Sequence, residues 1–274
     1  MIALLISLAA TPAASPQAYD AIGDVARVFA AILKDHLKGT EPAQLSRKAI
    51  DAMIEGLDPW SRRVGPNVQK IDPEPINCLQ DRGVLRLHIP RFDGAWAGRW
   101  LRDCPGLNND LPVLIDLRGN AGGSVADALA LADLFVAGGI LLIEKRRGGQ
   151  TFEHRARPAQ VRFASLTLLI DKGTASAAEM IAAALRQRVG ALVLGQTSMG
   201  KASVQRPIKL ASGGYVLLSV GKLSLANGQQ IDGLGLKPDD AMPKQPMRVA
   251  CQTAGRVWGN QGCMPSGPPA SPGR

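Results

Sequence analysis

The spacing of apolar positions changes character along the chain. Ile22, Val25, Phe29, Ile32 and Leu33 recur at helical intervals and predict one amphipathic helix over about residues 19–37. Thr40-Glu41-Pro42 opens a second helix, with proline in the first turn, where its missing N–H is no loss. That helix should run to Gly56, and Leu57-Asp58-Pro59-Trp60-Ser61 turns the chain out of it. Residues 62–81 are polar and punctuated by proline and glycine, and read as a linker. From Val84 onward short apolar runs alternate with helical stretches. Strands are expected over 84–89, 113–117, 140–144, 166–170 and 191–194. Helices are expected over 125–136, with Leu129, Ala132, Leu134 and Phe135 as apolar positions, and over 177–188. Residues 204–208 read as extended and 215–225 as strand-like, and from Pro265 proline, glycine and serine follow without periodicity. Alternating strands and helices argue for an α/β layer with crossover connections.

This pattern divides the chain into 1–18, expected as a signal peptide, 19–61, a small helical region, 62–81, the linker, 82–246, the α/β domain, and 247–274, a C-terminal tail. The apolar start, Met1 to Ala10, followed by small residues and Pro12 and Pro16, has the form of a secretory h-region and cleavage zone. An exported protein, periplasmic or extracellular, is the expectation. The four cysteines suit that compartment: nearest-neighbour bridges Cys78–Cys104 and Cys251–Cys263 are the simplest pairing, and buried thiols are the alternative.

Composition narrows the function classes. Apolar residues at 46% and charged residues at 20% rule out disorder as the main state. No apolar run approaches the roughly 20 residues of a membrane-spanning helix. With 32 Lys+Arg against 23 Asp+Glu the net charge is +9, which favours anionic surroundings such as an envelope surface. The charge is dispersed, however, with Arg62-Arg63 and Lys145-Arg146-Arg147 as the tight clusters, and aromatics are only 4%. Stacking platforms for nucleic acid have little to be built from, so no nucleic-acid partner is expected. The three histidines, His36, His88 and His154, are scattered and no Cys-x-x-Cys occurs, so neither zinc nor another cofactor is expected.

Three loops follow apolar strands and carry the candidate chemistry. Arg118-Gly119-Asn120-Ala121-Gly122-Gly123 can present bare N–H groups to an oxyanion, or can serve only as a tight turn. Gly173-Thr174-Ala175-Ser176-Ala177-Ala178-Glu179 places Ser176 where a strand gives way to a helix, as a nucleophile or as a plain N-cap. Gly195 to Ala202 nearly matches a phosphate loop, but Ala202 lacks the magnesium-binding hydroxyl and no helix follows. A helix of about 12 residues carries the chain roughly 18 Å from Ser176. The next strand brings it back, so Lys201 and Ser176 share one sheet edge with the glycine loop. Serine with a neutral lysine as proton acceptor needs no histidine. The Ser-x-x-Lys pattern of penicillin-binding proteins fails, because Glu179 holds its fourth position.

These residues resemble the carboxyl-terminal processing, or tail-specific, peptidases. The likeness rests on Leu114 to Gly123 with the helix after it, Gly173 to Glu179, Gly200-Lys201-Ala202-Ser203-Val204-Gln205, the Gly228–Asp239 region and Leu57-Asp58-Pro59, and it covers about residues 20–242. It implies a crotonase-like α/β fold with a small N-terminal helical region. It also implies a serine endopeptidase that cuts polypeptides near apolar C-termini. Ser176 would be the nucleophile, Lys201 the general base, and Gln205 the side chain that holds the lysine. The oxyanion hole would be the N–H groups of Gly122 and Ala177, with Gly123 the alternative to Gly122. Usual members carry a PDZ domain where residues 62–81 stand here, and Gln187, Gln196 and Ala178 replace two acids and a serine common in the family. Substrate capture by an adaptor or activating protein, or a weakly active peptide-binding scaffold on the same fold, are the readings these departures open.

Overall fold

The computed structural model describes residues 16–66, 77–81, 83–94, 99–158 and 161–258. Residues 1–15 of the expected signal peptide 1–18, the middle of the expected linker, Cys263 and the end of the tail lie outside the described residues. Two compact units divide the chain, the smaller comprising the N-terminal region with Pro207–Leu217.

In the smaller unit, α1 (Pro16–Asp35) is the helix that the apolar spacing predicts, and α2 (Pro42–Ile54) the one expected to open at Thr40-Glu41-Pro42. The turn after α2 is closed by Asp58, whose carboxylate accepts the N–H groups of Trp60 and Ser61, both at 2.9 Å, and the Ser61 hydroxyl at 2.6 Å. Beyond it the expected linker is partly strand. β1 (Arg62–Val64) pairs antiparallel with the start of β10 (Tyr215–Leu225), Arg62 opposite Leu217 and Val64 opposite Tyr215. The partner of β1 lies some 150 residues away in sequence, so local composition could not reveal it.

The larger unit is built on a sheet of order β2 (Asn77–Asp81), β3 (Val84–His88), β4 (Pro112–Asp116), β7 (Ser165–Ile170) and β8 (Leu192–Gly195). β2 runs antiparallel to β3, which corrects the C-terminal part of the expected linker, and the other four strands are parallel. All residues of β4 and β7 are buried, as strands covered on both faces must be. Val113, Ile115 and Leu117 turn into the main core with Ala128, Leu131 and Phe135 of α4 (Val125–Phe135) and Met180, Ile181 and Leu185 of α5 (Ala177–Val189). Val84, Leu114, Leu169 and Leu194 face the other way, against Ala250 of α6 (Pro246–Trp258). The expected C-terminal tail therefore begins as a helix that covers the second face of the sheet, and the Ser165 hydroxyl donates to the Ala250 carbonyl at 3.2 Å.

A short helix α3 (Trp100–Asp103) precedes β4. β5 (Gly139–Arg146) and β6 (Thr151–Ala156) form an antiparallel hairpin, and β5 pairs on its other side with residues 221–225 of β10. β9 (Ser203–Lys209) also pairs with β10. Among the described residues no helix is long and apolar enough to cross a membrane.

Cys78 of β2 and Cys104, at the C-cap of α3, form a disulfide, the nearest-neighbour pairing. It closes a span of 26 residues. Cross-linking a loop of that size should stabilise the fold by about 3 kcal/mol. Replacing both cysteines with alanine is expected to lower the urea midpoint by that amount of stability; an unchanged midpoint would show that the bridge adds nothing.

Candidate active site

Parallel β4, β7 and β8 end at one edge of the sheet, so the loops that follow them meet there. The glycine loop, Ser176 and Lys201 are thereby brought together by the topology.

The glycine loop is held by its neighbours' main chains. Asn120, fully buried, donates from Nδ2 to the Ile89 carbonyl at 2.9 Å and accepts the Gly122 N–H on Oδ1 at 2.8 Å. Phe92 N donates to the Gly122 carbonyl at 3.0 Å, and Ser124 N to the Phe92 carbonyl at 2.8 Å. Gly123 has φ +125, and a Cβ there would stand 1.9 Å from the Phe92 carbonyl oxygen. Only glycine fits.

The loop after β7 is organised by Asp171. Its Oδ1 accepts the N–H groups of Gly119 and Gly173 at 2.9 Å and of Thr174 at 3.1 Å, joining the first loop to the second. The Thr174 hydroxyl donates to the Leu117 carbonyl at 2.8 Å, and Ala175 N donates to the Asn120 carbonyl at 2.8 Å. Ser176 follows with φ 57 and ψ −124, in the left-handed half of conformational space that residues with a Cβ avoid. Strain of this kind persists only where the surroundings over-determine it, and it throws the side chain out at a sharp strand-to-helix turn. Ser176 is half-buried, and a Cβ added to Gly122 would lie 2.8 Å from its own Cβ, so the two loops touch.

Glu179 joins the second loop to the third. It has no exposed surface, and its carboxylate accepts four hydrogen bonds. Oε2 takes the N–H of Ser176 at 2.8 Å and of Lys201 at 2.9 Å; Oε1 takes the N–H of Gly200 at 2.6 Å and the Ser198 hydroxyl. One oxygen atom thus positions the main chains of Ser176 and Lys201 at once. Ser198 is itself fixed by Leu236 N, which donates to its hydroxyl at 2.7 Å. Half-buried Lys201 donates from Nζ to Gln205 Oε1 at 2.8 Å.

The amides separate the oxyanion candidates. Gly122 N–H, the first choice from sequence, already serves Asn120. The N–H groups of Gly123 and of Ala177, the latter in the first turn of α5, have no hydrogen-bond partner among the described residues. The contribution of Glu179 went unread, although Ser176 to Glu179 has the Ser-x-x-Glu form of a capping box. Asp171, Asn120 and Ser198 gave no local signal, because their partners are distant in sequence.

The edge also carries a charged cluster. Burial pushes the Asp116 carboxyl up, but hydrogen bonds from Arg118 and Arg86 outweigh it and hold the group below the usual carboxylate range. Arg118 contacts it through Nε and Nη2 at 2.7 and 2.6 Å, and Arg86 through Nη2 at 2.9 Å. Among the described residues there is no group of three or more His, Cys, Asp or Glu able to hold a metal ion.

Fold and loops together define an α/β protein whose candidate chemistry lies at the carboxyl edge of a parallel sheet. Residues 83–242, more than half of the chain, match the model of peptidase family S41, and the chain belongs to that family. It is 35% identical over 127 residues to carboxy-terminal processing protease CtpA of Bacillus subtilis, an alignment covering 46% of this chain and 27% of the relative. It is 30% identical over 139 residues to the chloroplastic carboxyl-terminal-processing peptidase 2 of Arabidopsis thaliana, covering 50% and 27%. The chain thus spans little more than a quarter of the length of these curated relatives. Among solved structures, a photosystem II D1 C-terminal processing protease matches with TM-score 0.55 and 21% identity over 71% of this chain and 55% of its own. A lipoprotein from Streptococcus agalactiae matches with TM-score 0.66 and 16% identity, over 84% and 88%. At such identities the likeness is one of fold.

Proposed function

We propose that the protein is a serine endopeptidase that hydrolyses polypeptides near apolar C-termini through Ser176 and Lys201. The observation that carries this reading is the Glu179 carboxylate, which ties the strained Ser176 turn to the lysine loop while Gln205 holds Nζ. Neutral Lys201 takes the proton of Ser176 Oγ as that oxygen attacks the peptide carbonyl. The oxyanion forms against the free amides of Ala177 and Gly123. The ammonium then gives its proton to the leaving amine, and an acyl ester on Ser176 remains. Lys201, neutral again, draws a proton from water as the water oxygen attacks the ester. It passes that proton to the departing Ser176 Oγ, which regenerates the hydroxyl and the neutral amine and releases the new carboxyl group. No cofactor is needed for this cycle. The apolar leader and the disulfide favour an exported enzyme, and the net charge of +9 favours residence beside an anionic envelope surface.

The test is an unstructured peptide with an apolar C-terminus, followed by mass spectrometry over time. Wild type is expected to cleave it, while Ser176→Ala and Lys201→Ala, both folded, lose at least about a thousandfold in rate. Cleavage retained in either variant sinks the Ser-Lys assignment. Binding of the peptide by folded wild type without cleavage favours a scaffold, or a requirement for an activating partner.

A further inference from the structure

The β5–β6 hairpin ends in a stretch that the core does not use. Leu141, Leu142 and Glu144 are buried, but every residue from 145 to 153 is exposed. Lys145-Arg146-Arg147-Gly148-Gly149-Gln150-Thr151-Phe152 holds three cations and no acid. Gly148 and Gly149, at φ 75 and φ 77, turn the chain at the tip. Phe152 is 43% exposed, and the Arg146 guanidinium lies 4.6 Å from the centre of its ring. Arg146 is also held by Glu144, to which its Nε donates at 2.5 Å. Glu153, the next acid along β6, is occupied by Arg155. Lys145 and Arg147 have no carboxylate partner among the described residues. Across the sheet Lys145 stands directly opposite Lys222 of β10, whose Nζ reaches Asp232 at 2.8 Å. Like charges facing each other across a ladder weaken it, so this placement serves an anionic partner better than it serves the sheet.

We propose that the hairpin tip docks the protein on an anionic phospholipid surface. The inference rests on the envelope residence proposed above and gives it a place on the molecule. Lys145 and Arg147 would meet headgroup phosphates, each raising affinity about fivefold. The Phe152 ring, already stacked with a guanidinium, can enter the boundary between headgroups and acyl chains while the cation stays with the phosphates. A convex tip meets a flat surface, whereas an anionic chain needs a groove or track along which to lie. The exposed ring gains from a lipid surface and gains nothing from a soluble polyanion.

The test is sedimentation of the full chain with phosphatidylcholine vesicles made with and without phosphatidylglycerol, at low and at high salt. Wild type is expected to pellet with the anionic vesicles alone and to be released as salt rises. Lys145→Gln combined with Arg147→Gln should weaken binding at low salt about thirtyfold, about fivefold for each cation. Lys38→Gln combined with Lys48→Gln removes the same charge elsewhere and should bind as wild type does. Phe152→Ser should lose about tenfold, by a factor that salt does not change. All five positions are exposed, so the variants should melt with wild type. Equal weakening by the two double variants assigns the binding to net charge and overturns the proposal. Wild-type binding by Phe152→Ser overturns it too, as does equal binding to neutral vesicles. Capture by soluble polyglutamate as tightly as by anionic vesicles, unaffected by Phe152→Ser, would make the partner an acidic polypeptide instead. Vesicle binding needs no catalysis. Wild type that leaves the peptide uncut therefore sinks the peptidase reading, while sedimentation still decides the role of the hairpin.

Discussion

Glu179→Ala should be the most damaging single substitution outside Ser176 and Lys201. It would leave three main-chain N–H groups and the Ser198 hydroxyl without the fully buried acceptor they share. Losing a buried, fully bonded carboxylate should destabilise the fold by about 4 kcal/mol. Peptide cleavage should fall by at least about a hundredfold at temperatures where the variant is still folded, because both loops lose their common anchor. Glutamine is not a remedy. One of its two terminal atoms is an amide nitrogen, which would face two donors, so Glu179→Gln should lie between alanine and wild type in both measures. Urea unfolding and peptide turnover check this together. A Glu179→Ala protein with wild-type activity would show that the four contacts do not support the site.

The second large effect is expected at Gly123. A methyl group there would stand 1.9 Å from the Phe92 carbonyl oxygen, and the backbone at φ +125 is strained for any residue with a Cβ. The obstacle is main chain, so it cannot rotate aside. Gly123→Ala should push the glycine loop off the segment around Phe92, lowering stability by about 2–3 kcal/mol. The displaced loop would carry the Gly123 amide out of place, and kcat should fall about a hundredfold, the usual effect of losing one oxyanion donor. An alanine variant with unchanged kcat would remove Gly123 from the oxyanion hole.

Much of this arrangement is legible in the chain alone. Apolar runs such as 113–117 and 166–170 announce buried strands because both faces are covered, and α4 and α5 carry clear helical spacing. Ser176 and Lys201 stand out because strand-to-helix and strand-to-loop transitions bracket them, whereas Gln205 is marked only by the resemblance of Gly200–Gln205 to a family motif. Other parts were hidden for identifiable reasons. β1 and β2 are polar segments that become strands only through their partners. β6 is an exposed strand with no apolar alternation. Helix α6 follows the pattern Met247, Ala250, Cys251, but the small and polar residues around it obscured that stripe. Glu179 looked like a residue that spoiled one motif, whereas its four donors gather from 176, 198, 200 and 201 only when the sheet forms.

The bridge between Cys78 and Cys104 bears on the history of the molecule as well as on its strength. Cys78 is partly covered, whereas Cys104 is sealed in the main core with Trp100 and Leu107. A thiolate arriving from solvent can approach only the Cys78 sulfur, and exchange would then expel Cys104 as an anion into apolar surroundings. A buried thiol has a raised pKa and is a poor leaving group, so this route is slow. Oxidation is therefore settled while the chain is still folding, and a molecule that has closed with its bridge carries a record of the compartment where it was made into whatever surroundings it later meets.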